Sequence, residues 1–474
     1  MTTGHNYPYA YERTATAAQL QQRYGPLDAG TDTGDQTRVA GRLRTVRVHG
    51  KVAFADLEDV TGRIQLFARY EELGDDGMAA FESLTVGDVV GASGEVVKTR
   101  RGELSVKLED LTLLAKCLRP MPEKWHGMTD VETRFRQRYL DLIVNPSARR
   151  VVEARAVANT VIRRFFTERG FVEVETPLLQ QIASGAVARP FVTHHNALDI
   201  DLYLRVAPEL FLKRLLIGGL ERVFELNRSF RNEGVGAQYN PEFTMLEAYE
   251  AYVDFEHTMA LVEDLVREIA GEITEDLRVE FAEETVDISQ PFRRTTMFEA
   301  IAEHSGEDLG SIWQEGDQDA LSEKARALGV RVDEGWSAGK LLLEIFESVV
   351  EKRLQQPTFV AGFPKDVSPL AKDHRSIEGF TEHADLIIRG VEIAPVYSEL
   401  NDPEEQRRRF EQQARARAAG DDEAMLRDED FLEALEYGMP PAGGFGLGVD
   451  RLLTVLLGLP SLREVILFPT LRPE

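Results

Sequence analysis

The sequence predicts an α+β chain in two parts: a small five-stranded β-barrel, then a larger domain with an antiparallel sheet flanked by helices. Two observations carry this. Residues 37–120 are short alternating runs separated by glycine-containing turns. Beyond residue 147, helical and strand-like segments follow in irregular order, without the repeated βαβ units of a doubly wound fold. The length of 474 residues agrees, being too long for one ordinary core.

Residues 1–36 are polar, with Gly, Asp and Thr clustered in Leu27–Asp35, and read as an N-terminal arm. The runs TRVAGRLRTVRV, KVAFADLEDV, RIQLFARY, VVGASGEVVKT and ELSVKLEDLTLL supply the barrel strands. Turns at His49-Gly50, Thr61-Gly62 and Arg101-Gly102 divide them. Residues 121–147 are polar and proline-punctuated, a linker ending in a helix. The second domain takes residues 148–474, with a mixed insertion over about 270–380.

That domain opens on VEARAVANTVIRRFFTERG, which places Val157, Val161, Ile162, Phe165 and Phe166 on one helical face and stops at Gly170. FVEVETPLL reads as a strand closed by Pro177, and APELFLKRLLIGG as a short helix ended by Gly218-Gly219. RVFELNRSFRNE and PEFTMLEAYEAY form a hairpin. An acidic helical stretch covers 254–289, a strand pair 384–400 and a charged helix 403–418, before the closing GGFGLGVDRLLTVLLGL.

Composition sets limits. With 43% hydrophobic and 29% charged residues, the profile is globular rather than disordered. No apolar run approaches the eighteen or so residues of a membrane span. The opening MTTGHNYPYAYERTATA lacks a basic flank before an apolar core, so no secretory signal is expected. The single cysteine, Cys117, fits a reducing, cytoplasmic location.

A formal charge of −26 argues against nucleic acid until its distribution is read. Residues 37–120 balance at 13 basic and 13 acidic side chains, and Arg38, Arg42, Arg44, Arg47 and Lys51 open the barrel without an acid among them. Residues 254–289 hold 12 acids and 2 bases, and residues 301–335 hold 9 and 3. The acidity therefore belongs to the periphery of the second domain.

Alternation along the hairpin puts Arg231 and Glu233 on one strand face, and Phe243, Glu247 and Tyr249 on one face of its partner. Unpaired buried charges cost several kcal/mol, so such a face is poor core material. It is either a solvated face with cross-strand pairs or a floor for an anionic, aromatic-ringed ligand. Gly443–Gly448 before Arg451 would allow close backbone approach beside a permanently charged guanidinium. No Gly-Lys-Ser/Thr follows, so this is not a P-loop. Asp385, Glu392 and Glu399 lie on or near one strand and offer oxygen ligands for Mg²⁺, or are exposed strand carboxylates. His194-His195 has no third ligand at metal spacing.

Taken in order, these segments resemble the class II aminoacyl-tRNA synthetases, and within them the lysyl-tRNA synthetase family, from about residue 25 to 474. FVEVETPLL is similar to the first class II motif, SFRNEG…NPEFTMLEAYEAY to the second and GGFGLGVDRL to the third. The stretches ARPFVTHHNALDIDLYLRVAPELFLKRLLIGG, YSELNDP and VILFPTLRP resemble the lysine-specific ones. The barrel resembles the family's OB-fold anticodon-binding domain.

The resemblance implies ATP-dependent activation of L-lysine and its transfer to tRNA(Lys) by a cytoplasmic homodimer using Mg²⁺. Arg231 and Arg451 would be the catalytic arginines. ATP would lie among Arg231, Glu233, Tyr239, Phe243, Gly446, Gly448 and Arg451, with adenine between Phe243 and Arg451. Lysine would meet Gly185, Glu209, Glu247, Tyr249, Pro395, Tyr397 and Glu399: Glu247 at its α-amine, and Glu209, Tyr249 and Glu399 around its ε-ammonium. Asp385 and Glu392 would carry Mg²⁺, while Phe54 would stack an anticodon base read by Arg47, Gln65 and Glu103. The chain departs from the family at Gln238-Tyr239, Ser184 and Pro395-Val396. Besides lysine–tRNA ligation, those departures leave open a paralogue with another amino acid or acceptor, an inhibitor-resistant isoform, or an idle binding protein.

Overall fold

In the computed structural model, which describes residues 7–122, 128–281, 284–333, 335–418 and 424–473, the chain divides into units spanning residues 1–127 and 128–474. The expected arm and linker reach into residues 1–6 and 123–127, outside the described residues.

Alternating side chains close the first unit. Strands Asp32–His49, Val52–Glu58, Arg63–Arg69, Val89–Lys98 and Leu104–Ala115 form a barrel, with the fifth strand lying between the third and fourth. Val52–Glu58 alternates buried and half-buried residues, sending Ala53, Ala55 and Leu57 inward. Two elements went unread in the sequence. The polar arm contains the helix Ala17–Tyr24, whose first turn is closed by a reciprocal Thr16–Gln19 capping box. A second helix, Tyr70–Glu82, follows the third strand and inserts Met78 and Phe81 into the core.

The second unit is built on an eight-stranded sheet. Its order is Arg293–Thr296, Thr358–Ala361, His383–Ile388, Val391–Ser398, Ala442–Gly448, Glu242–Ala251, Arg222–Phe230 and Val172–Glu173. The central pairs are antiparallel as expected, but both edge pairs are parallel, so the sheet is mixed. The glycine run is its fifth strand, ahead of the helix Val449–Leu456.

The helix Pro146–Glu168 begins a full turn and more before its expected start, because Pro146 at the first position is pre-set for helix. It buries Val161, Ile162, Phe165 and Phe166 against the helix Phe255–Ile273 and the sheet, with Phe166 stacked on Phe224 at 4.9 Å. Truncating a buried phenylalanine of this kind costs about 3–5 kcal/mol.

Three readings need correction. FVEVETPLL is not one strand: Val172–Glu173 joins the large sheet and Leu179–Gln180 a separate three-stranded one, with Pro177, which has no N–H to give a ladder, between them. The acidic stretch 254–289 is helical only over Phe255–Ile273, then turns into a short hairpin of Arg278–Glu280 and Thr285–Asp287. Finally, the hairpin strand ends at Phe230, so Arg231 and Glu233 share no strand face; they sit in the loop beyond it.

Candidate active site

Two adjoining cavities open on the central strands. Both are lined by Arg231, Met245, Glu392 and Pro395.

The first, about 120 Å³, takes Glu233, Gln238, Tyr239, Phe243, Gly448 and Arg451 in addition. The Arg231 guanidinium lies 5.2 Å from the Phe243 ring centroid, and its buried Nε has no hydrogen-bond partner. Burial lowers its pKa, opposed by the charge of Glu233. A half-buried arginine with an unused, buried donor is ready for an anion. Arg451 donates to the Glu392 carbonyl at 3.0 Å, and its guanidinium lies 6.0 Å from the Tyr239 ring centroid. Asp450 accepts from the Thr244 backbone N–H at 2.8 Å and pairs with Arg155, fixing the helix that carries Arg451 to the hairpin.

The second cavity, about 300 Å³, is lined by Gly185, Glu209, Glu247, Tyr249, Asp385, Tyr397 and Gly446, and by the loop Val367–Ala371. Glu247 is 3% exposed and accepts from the Tyr249 hydroxyl at 3.2 Å. Burial, then the charge of Glu209, pushes both Glu247 and Tyr249 well above their ordinary values. Such a pocket gains most by admitting a cation. Two glycines make room for it. A Cβ at Gly444 would overlap Glu399 Oε1 and the Tyr249 ring, and one at Gly446 would come within 2.9 Å of Met245.

Glu399 stands apart from the other expected ligands. It follows the strand Val391–Ser398, is 1% exposed and does not line the cavity. Its Oε2 is instead 2.5 Å from Lys213 Nζ, which is 2.6 Å from Glu209 Oε1. The Glu399 contact is an ion pair without an aligned hydrogen bond. Burial raises Glu399 to about 7 against the opposing charge of Lys213.

Asp385 and Glu392 come from neighbouring strands joined by the turn at Arg389-Gly390, and both line the second cavity. Among the described residues no group of three or more His, Cys, Asp or Glu is arranged to hold a metal. Two carboxylates do suit Mg²⁺, which keeps waters and shares substrate phosphates. Arg451 lies 3.4 Å from Glu392 Oε1, yet carboxylates crowd the site in the way such an ion would relieve. Burial and the Glu392 charge raise Glu351 to about 7, and burial raises Asp385 despite His383 at 2.8 Å.

The departures fall in different places. Gln238 and Tyr239 line the first cavity and Pro395 lines both. Val396 points into the core, and Ser184 is buried with its hydroxyl 3.4 Å from the Leu426 carbonyl.

The sequence reading missed Lys213, His383 and the loop Val367–Ala371. Lys213 had a signal: a lysine on the leucine-rich face of ELFLKRLLI, four residues after a glutamate. The loop had none, since Arg409 and Gln406 of the distant helix Pro403–Ala418 hold it through the carbonyls of Ser368, Pro369 and Ala371.

In the first unit, Arg47, Phe54, Gln65 and Glu103 line one groove of about 1130 Å³, along with Phe67, Arg69, Lys98, Arg100, Arg101 and Lys107. Phe54 stacks on Phe67 at 5.0 Å, nearly parallel, and Ser105 donates to Gln65 Oε1 at 3.0 Å. A cationic groove with a flat aromatic pair suits single-stranded nucleic acid.

Comparison with known proteins gives the same two-part division. Residues 130–472 match the family "tRNA synthetases class II (D, K and N)", and residues 37–114 match "OB-fold nucleic acid binding domain". Over 464 residues the chain is 50% identical to a lysine–tRNA ligase of Syntrophomonas wolfei, covering 98% of this chain and 92% of that protein. It is likewise 50% identical to the lysine–tRNA ligase of Moorella thermoacetica and 48% to that of Carboxydothermus hydrogenoformans. Each alignment covers 98% of this chain and 94% of the relative.

Proposed function

The chain belongs to the class II tRNA synthetases, and on that premise we propose that this enzyme activates L-lysine with ATP and transfers it to tRNA(Lys). One observation carries the reading: two cavities, one with an arginine–aromatic pair and one with buried acidic groups, share Arg231 where they meet. A nucleotide in the first and a cationic amino acid in the second would bring carboxylate and α-phosphate to the same guanidinium.

The lysine carboxylate then attacks the α-phosphorus in line and pyrophosphate leaves. Arg231, half-buried and held beside Phe243, stabilises charge on the transferring group, and Arg451 covers the base with Phe243 beneath it. Glu233 accepts from the adenine amine, with Tyr239, Gly446 and Gly448 completing the ATP walls. Asp385 and Glu392 would hold Mg²⁺, which when bound supplies positive charge to the phosphates. Glu247 orients the α-amine beside Gly185, Pro395 and Tyr397. Glu209 and Tyr249 receive the ε-ammonium, with Glu399 behind them. A ribose hydroxyl of the tRNA end next attacks the activated carbonyl carbon and AMP departs. No side-chain nucleophile is required.

The barrel groove is the anticodon site, Phe54 stacking a base while Arg47, Gln65 and Glu103 read edges. Val172, Leu178 and Leu179, 49, 47 and 46% exposed, support a homodimer through the segment similar to the first class II motif. Among the described residues no helix is long and apolar enough to cross a membrane, which accords with a cytoplasmic location.

The test is ATP–pyrophosphate exchange across the amino acids, followed by charging of total tRNA. Exchange is expected with L-lysine and charging with the lysine acceptor. Exchange with another amino acid, or with none, would overturn the reading.

A further inference from the structure

Lys213 is fully buried on the helix Glu209–Ile217, among Leu210, Leu212 and Leu216, and lines neither cavity. An amine in leucine packing is costly unless paired. Here it is paired twice, with Glu209 at the cavity wall and Glu399 beneath it.

We infer that Lys213 is a positioning residue for lysine recognition: an internal cation that pairs with Glu209 and aims it at the ligand while Glu399 anchors the amine from below. This rests on the proposed lysine site and assigns Glu399 an indirect part in it. With both carboxylates ionised the three groups carry one net negative charge, which one ammonium neutralises. Without Lys213, two carboxylates would share a low-dielectric space and take up a proton between them. The site would then offer the ligand less negative charge. The other titratable groups near the triad, Glu247, Tyr249 and Tyr397, are all held towards their protonated forms by burial. They supply no replacement cation. Burial opposes the charge on Lys213, yet Glu209 and Glu399 outweigh it and keep the amine protonated.

The experiment compares wild type, Lys213→Met and Lys213→Met/Glu399→Gln by lysine-dependent ATP–pyrophosphate exchange from pH 6 to 9, with thermal unfolding of each. Lys213→Met should raise the KM for lysine about a hundredfold at pH 7 while leaving that for ATP unchanged. Its acid limb should move up by about one pH unit or more, so that activity recovers in alkali. The double variant has no second carboxylate to share the proton and should regain about tenfold of the lost affinity at pH 7.

A folded Lys213→Met enzyme with wild-type lysine KM and pH profile would overturn the inference. So would tighter lysine binding, which would make Lys213 a competitor for the site. If the single variant does not fold, the double variant decides: within about tenfold of wild type supports the inference, and a loss beyond about a hundredfold overturns it. A wild-type enzyme that fails to use lysine at all is a different result and removes the underlying site instead.

Discussion

The proposed lysine cavity of the larger unit and the groove of the barrel are both lined by charged and aromatic residues, held in opposite ways. At and beneath the cavity wall Glu247, Glu399 and Lys213 are 3% exposed or less, and their charges are set by two to four neighbours each. In the groove Arg47, Arg100 and Arg101 stand exposed; Arg47, with half its side chain in solvent, has a 3.4 Å contact to Asp56. Buried charge makes recognition steep, because a ligand lacking the matching charge leaves a carboxylate unpaired. Exposed charge makes it shallow and additive, each contact screened by salt. On the proposed function, one chain selects a small cation by a few buried contacts and a long polyanion by many exposed ones.

The comparison can be broken at its steep end first. Glu209→Ala should lower lysine-dependent exchange by about 3–5 kcal/mol, on the order of a thousandfold, since it strands Lys213 with one partner and removes the charge at the wall. A folded variant losing less than about tenfold would show that the cavity does not select by charge. Phe54→Ala probes the shallow end. It removes a stacking platform worth about 1–3 kcal/mol per base, so the kcat/KM for tRNA charging should fall roughly tenfold to a hundredfold. Exchange should not change, and a matching loss in exchange would contradict the assignment of the groove to tRNA. The smallest expected effect is that of pH. Glu399 is raised to about 7, so it gains a proton as pH falls through that value. The kcat/KM for lysine, at saturating ATP, should therefore fall by up to about tenfold per pH unit below 7. A profile flat down to pH 6 would count against the coupling of Glu399 to the site.

Much of the site was legible because its residues are unusual for their places. An arginine and carboxylates around an alternating hairpin, and four glycines before an arginine, do not make ordinary core, and the structure gathers them around two adjoining cavities. The barrel was legible for a similar reason, since period-2 alternation has few other outcomes. What could not be read depended on contacts far apart in sequence. Arg231 and Glu233 reach their cavity from a loop, although alternation extended the strand through them. Glu399 reads like the other carboxylates of its strand pair, yet lies beneath the cavity against Lys213.

The sequence by itself determined the two-part division, the barrel, the central hairpin and most of the charged residues that could meet a ligand. It could do so because periodicity, turn chemistry and the cost of burying charge are local or compositional rules. Only the tertiary structure decided which carboxylates face a cavity and which face a buried lysine. That choice is set by long-range packing: the helix Glu209–Ile217 against the strand Glu242–Ala251, and the glycine strand that leaves space for Glu399. No short stretch of chain holds that information.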